Sequence, residues 1–186
     1  MNPSRLCFVF VFLLYGTTFV SAQNVSFEAV SSPDTHFDFR TVAQYQNGIV
    51  QYNALQLSVQ SDARWDFFVG TETDVPGLWN QTVSYGSHGD LPTVELLQLR
   101  VRSGAGTPQE SGFFALRDIS TPVYLIGSEA SDVEITCGSG VTNAPGSYLT
   151  EPTCYTFNVD MRLQPGFGWQ PGAYALTIHF VLVPDL

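Results

Sequence analysis

The side chains able to do acid–base or metal chemistry are few and scattered. Histidine occurs at three positions, His36, His88 and His179. No local spacing among them matches a metal-ligand motif. Ser87–His88–Gly89–Asp90 holds the three residue types of a hydrolase triad. Adjacent residues cannot aim at one another in that geometry, so the run reads as a turn. The chain has no GxSxG elbow, no HExxH helix and no phosphate-cradling loop. Two acidic groups, Glu72 with Asp74 and Glu129 with Asp132 and Glu134, are candidate calcium ligands. Such a site needs six or more oxygens on a glycine-assisted loop, and neither segment fits an EF-hand. A glycosidase needs two carboxyl groups about 5–9.5 Å apart. With 17 acidic residues, some pair meets that distance by chance. No catalytic residue, metal ligand or cofactor is therefore assigned.

The aromatic residues are the stronger functional lead. Trp65 alternates with apolar neighbours and reads as core. Trp79 precedes Asn80–Gln81–Thr82 and fits either core or surface. Phe167 and Trp169 lie in the breaker-rich run PGFGWQPG, outside any regular alternation. Exposed aromatics supply a flat platform for sugar faces or a protein hot spot. The rival reading folds Trp169 back as a plug for an open end of the fold, since large aromatics rarely stay bare. Trp79, Phe167 and Trp169 are the candidate ligand-binding residues.

Three cysteines occur, at 7, 137 and 154. Cys7 falls in a leader segment. Cys137 and Cys154 then form an even pair, which in an exported chain reads as one disulfide. The bridge would close a loop of about 17 residues, worth roughly 3 kcal/mol in chain entropy.

The leader covers residues 1–22. Arg5 provides a positive start, Leu6–Tyr15 an apolar run, and Val20 and Ala22 the small residues before cleavage at Gln23. That run is too short to span a bilayer as a helix. Residues 23–186 have the length of one domain with its own core. All 7 basic residues are arginine, and the net charge is −10. Such a balance excludes an ordinary nucleic-acid binder and disfavours anionic membranes. An apolar share of 44% excludes a disordered chain.

The elements that must position these residues are strands. Period-2 alternation recurs at 25–29, 37–39, 55–59 and 65–69, with a hairpin expected across the polar turn 61–64. Val94–Arg102 is a longer run whose Leu96–Leu97 step suggests a bulge or two buried faces. Short strands are expected at 113–116, 123–126 and 133–136. Long ones are expected at Tyr155–Leu163 and Tyr174–Leu182. Some ten or eleven evenly punctuated strands, with no strong helical period, predict an all-β, immunoglobulin-like antiparallel β-sandwich. Asn24–Val25–Ser26 and Asn80–Gln81–Thr82 match the N-glycosylation pattern.

The segment QPGAYALTIHFVL (170–182) resembles a strand entry found in secreted immunoglobulin-like modules. The chain is similar to secreted bacterial pilin-like, spore-coat-like and WxL-like sandwiches, and its Ser-Ala-Gln cleavage region to exported proteins of the Bacteroidetes group. The resemblance implies a tyrosine corner, with the Tyr174 hydroxyl bonded back to the preceding loop. It also implies that a final strand is missing. The resulting free edge would accept a strand from another chain, with 23–30 as donor. The ordinary alternative makes 25–30 the first strand of its own sheet.

The expected function is a non-enzymatic secreted structural or cell-surface protein, a filament or matrix subunit that self-associates or meets another surface protein. The alternative is a secreted binding module, most naturally for carbohydrate. A small carboxylate hydrolase is the third reading. No nucleic acid and no membrane span of the mature chain are expected.

Overall fold

A computed structural model describes residues 24–31, 35–103, 112–126, 146–150 and 152–184. The leader, Cys137, the 129–134 acidic group and the expected strand at 133–136 lie outside these residues.

The described chain is an all-β sandwich. The larger sheet has five strands: β1 (Val25–Ser31), β2 (Ile49–Ser61), β5 (Leu97–Ser103), β6 (Phe114–Ala115) and β8 (Thr156–Leu163). Their order is β1-β2-β8-β5-β6. The smaller sheet holds β3 (Trp65–Glu72), β7 (Val123–Ile126) and β10 (Thr177–Pro184), in the order β10-β3-β7. A separate two-stranded ribbon joins β4 (Asn80–Ser84) to β9 (Gly172–Ala175). All strand pairs are antiparallel.

Alternation decides which side chains meet between the sheets. Leu57 and Val59 of β2, Phe157 and Val159 of β8, and Leu99 of β5 point inward and are buried. Trp65, Phe67 and Val69 answer from β3. The Phe67 and Phe157 rings stack across the gap with centroids 5.6 Å apart. Trp65 meets Tyr155 edge-on at 6.1 Å. Trp65 is thus core, as its spacing indicates.

The outward face of β5 and β8 is charged rather than bare. Asp160 is fully buried and pairs in register with Arg100. Its Oδ2 accepts from Arg100 Nε at 2.8 Å and Arg102 Nε at 3.0 Å, and its Oδ1 from Arg102 Nη2 at 2.9 Å. The backbone N–H of Asn53 donates to Oδ1 at 2.8 Å. Asn53 has a φ of 50°, where the β2–β8 ladder slips between Gln51 and Leu55. The bulge turns one amide out of the ladder and onto the carboxylate. Burial is the largest influence on Asp160 and pushes its carboxyl up; the bonds from Arg102, Asn53 and Arg100 outweigh it and hold it low.

Several expectations change. Residues 55–60 and 65–70 do not form a hairpin, because β2 and β3 lie in different sheets. The polar turn is a corner: the Ser61 hydroxyl donates to Ala63 O at 2.8 Å and accepts from Ala63 N at 3.1 Å. Phe37 and Phe39 lie in irregular chain, followed by a short helix α1 (Val42–Asn47). The Leu96–Leu97 step is the end of a 3-10 turn, Val94–Leu96, rather than a bulge. The expected strand 174–182 breaks at Leu176 into β9 and β10, which pair with β4 and β3 respectively. β4 itself was not expected: NQTVS carries a sequon and little apolar alternation. Segment 25–31 takes the ordinary course, pairing with β2 of its own chain.

Candidate functional site

At one end of the sandwich the sheets do not close on each other. A cavity of about 1150 Å³ opens there. Its floor is apolar, with Leu55 and Leu57 from β2, Met161 and Leu163 from β8, and Ile178 and Phe180 from β10. Trp79, Phe167 and Trp169 all line it. Three aromatics chosen from two segments ninety residues apart therefore share one space.

Each is held differently. Trp79 is half-buried, and its indole N–H donates to Thr93 O at 3.0 Å. Trp169 is half-buried, and its indole N–H donates to Pro165 O at 2.6 Å. Both polar handles are satisfied by backbone, so the ring faces are left for packing or ligand. Trp169 also sits against the 86–90 loop, where Gln170 N donates to Asp90 O at 2.8 Å. The approach is close at Gly89, which has a φ of 101°; a Cβ there would lie 2.8 Å from the Trp169 carbonyl carbon. Only glycine fits both demands. The Ser87–Asp90 turn thus holds a tryptophan in place, and His88 is exposed.

Phe167 is 64% exposed at the rim. It stacks on Tyr45 of α1 with centroids 5.7 Å apart, and Tyr45 meets Phe39 at 5.2 Å. A capping box fixes α1: the Thr41 hydroxyl accepts from Gln44 N at 3.2 Å, and Gln44 Oε1 accepts from Thr41 N at 3.0 Å. Gly166 N donates to Tyr45 O at 3.1 Å, tying the helix to the 165–172 turn. Phe39 and Tyr45 were not anticipated as site residues. Phe39 was read into a strand, and Tyr45 lies in VAQYQN, which shows no pattern of its own.

Polar groups line the cavity too, among them His36, Asp38, Gln170, Tyr174 and His179. Tyr174 donates its hydroxyl to Gln170 O and accepts from Gln81 Nε2 at 3.1 Å. The bond back to the preceding loop is the one the tyrosine-corner resemblance implies. Arg40 Nε donates to Asp38 Oδ2 at 2.7 Å; this hydrogen bond holds the exposed Asp38 carboxyl below its usual range. His179 Nε2 lies 2.7 Å from Glu72 Oε2. That pair orients an imidazole, but among the described residues no hydroxyl or thiol is hydrogen-bonded to it. Nor do the described residues contain any group of three or more His, Cys, Asp or Glu placed to hold a metal.

Cys154 is buried at 6% exposure, while its expected partner Cys137 lies outside the described residues. No helix among the described residues is long and apolar enough to cross a membrane. Comparison of the chain with known protein families and with curated proteins yields no match.

Proposed function

We propose that this chain is an exported, non-enzymatic binding module that receives its ligand in the cavity between the sheets. The observation that carries this reading is the convergence of Trp79, Phe167 and Trp169 on one apolar space with polar groups along its wall. That composition suits a ligand with apolar faces and hydroxylated edges, and carbohydrate is the ligand class that combines them. Export through the 1–22 leader and a Cys137–Cys154 bridge belong to the same reading. So does an immunoglobulin-like topology, supported by the Tyr174 hydroxyl bond.

The test is a panel of neutral oligosaccharides, read by tryptophan fluorescence and calorimetry. Saturable binding that Trp169→Ala abolishes would support the module. A panel without a binder would remove carbohydrate as the ligand.

One observation favours a second reading, a self-associating surface subunit. Among the described residues β1 is an edge strand, seven residues long, without proline or lysine, and Val30 on it is 55% exposed. Edges of this kind accept further strands. Light scattering on residues 23–186 and on a chain starting at Ser31 separates the readings. An assembly lost on truncation supports the subunit; a monomer in both removes it.

A further inference from the structure

The outward face of the larger sheet gathers three arginines around one carboxylate among the described residues. Arg100 and Arg102 on β5 and Arg162 on β8 share this face, opposite the cavity. They are three of the seven basic residues of a chain whose net charge is −10. Asp160 is the carboxylate they surround, and it is engaged by Arg100 and Arg102.

Arg162 has a different set of partners. Its Nε donates to Gln98 Oε1 at 2.8 Å, and its Nη2 donates to the same oxygen. Its guanidinium carbon lies 4.3 Å from the centre of the Phe113 ring. That ring is shared with Arg100, 4.7 Å away. Among the described residues no carboxylate lies within ion-pair distance of Arg162. A half-buried cation is thus answered by an amide oxygen and an aromatic face. Both are weaker partners than a carboxylate. A guanidinium has five N–H donors, and Gln98 takes two of them. The Gln98 amide nitrogen has no acceptor among the described residues and adds donors beside the free edge.

We propose that Arg162 and Gln98 form an oxyanion-binding site for a carboxylate or sulfate group. A planar guanidinium edge matches two oxygens of such a group, which a lysine would not do. The Phe113 ring packs against the same guanidinium. The site stands on the face opposite the aromatic cavity and does not depend on what the cavity binds.

The experiment titrates the full chain with sodium sulfate and, separately, with digalacturonate, at constant ionic strength. The readout is the arginine Nε–H NMR signals, few and resolvable in a chain with seven arginines and no lysine. Cellobiose serves as the uncharged control. The Arg162 signal should shift saturably with either anion and stay still with cellobiose. Arg162→Gln should weaken binding about tenfold or more, and Arg162→Lys should restore only part of it. Digalacturonate binding tighter than sulfate would assign the group to an acidic glycan; equal affinity would assign it to a free anion. Either result supports the site. Shifts that never saturate, or that spread evenly over all arginines, would overturn it. Should Arg162→Gln fail to fold, selenate soaked into crystals of the wild-type chain decides the matter. An anomalous peak at the Arg162 guanidinium supports the site, and its absence overturns it.

Discussion

The two ends of the sandwich are built from the same kinds of side chain and come out differently. At the closed end Trp65, Phe67, Tyr155 and Phe157 are all buried. At the open end Trp79 and Trp169 stay half-buried and Phe167 is exposed. What differs is the element on the far side. Phe67 on β3 faces Phe157 on β8, so two strands each deliver a side chain every second residue. Trp169 faces the turn 86–90, which offers backbone and glycine more than side-chain volume. Aromatic content alone therefore does not make a core. Closure requires a second pleated surface in register with the first.

Substitutions can break this contrast at either end. The largest effect is expected from Phe67→Ala, which removes a ring packed against Phe27, Phe157 and Phe180. A loss of about 3–5 kcal/mol in urea unfolding is expected. A loss below 1 kcal/mol would mean that the closed end is as adaptable as the open one. Asp160→Asn tests closure by charge rather than by rings. It takes their shared carboxylate from the buried Arg100 and the half-buried Arg102, at a cost of roughly 3 kcal/mol or more. The same carboxyl gives a pH signature. Its folded pKa lies below the ordinary value of 3.8, so its contribution is complete above that pH. It is lost as pH falls further, through the lower folded value. Stability of the wild type should drop more steeply below about pH 4 than that of Asp160→Asn. Equal slopes would remove Asp160 from the acid response. Phe167→Ala should change stability least, by no more than about 0.5 kcal/mol, because its ring is largely in solvent. If it cost as much as Phe67→Ala, the open end would have to close in solution.

Strand alternation reveals most of this architecture and little of its pairing. Val25–Ala29, Leu57–Val59 and Phe157–Met161 show their inward faces by spacing alone. The corner at Ser61–Arg64 looks like a hairpin turn, since a polar tetrapeptide between two alternating runs does not say whether the second run returns beside the first. The break at Leu176 is invisible because alternation continues through it. At the site, Phe167 and Trp169 stand out by their glycine and proline neighbours. Phe39 and Tyr45 do not, because their role comes from a helix cap and a stacking contact 122 residues away in sequence, between Tyr45 and Phe167. The charged face leaves a faint mark: Arg100 and Arg102, and Asp160 and Arg162, sit at alternate positions inside otherwise apolar strands. That spacing puts all four on one face, but their convergence depends on β5 and β8 being neighbours.

The strand order also has a consequence in time. β8 is the middle strand of the larger sheet, and β10 is the partner of β3 in the smaller one. Both follow their partners β2 and β3 by about a hundred residues, at 156–163 and 177–184. Leu57 waits for Phe157, and Trp65 for Pro184. While the chain is being made, β1 and β2 can pair, but neither sheet can be completed. The unfinished protein holds long apolar strands with open edges, the state most prone to aggregate or to be captured by a chaperone. Pairings this distant in sequence close slowly, on the millisecond-to-second scale of non-local β folds. A chain with this connectivity stays protease-sensitive until residues 156–184 have appeared.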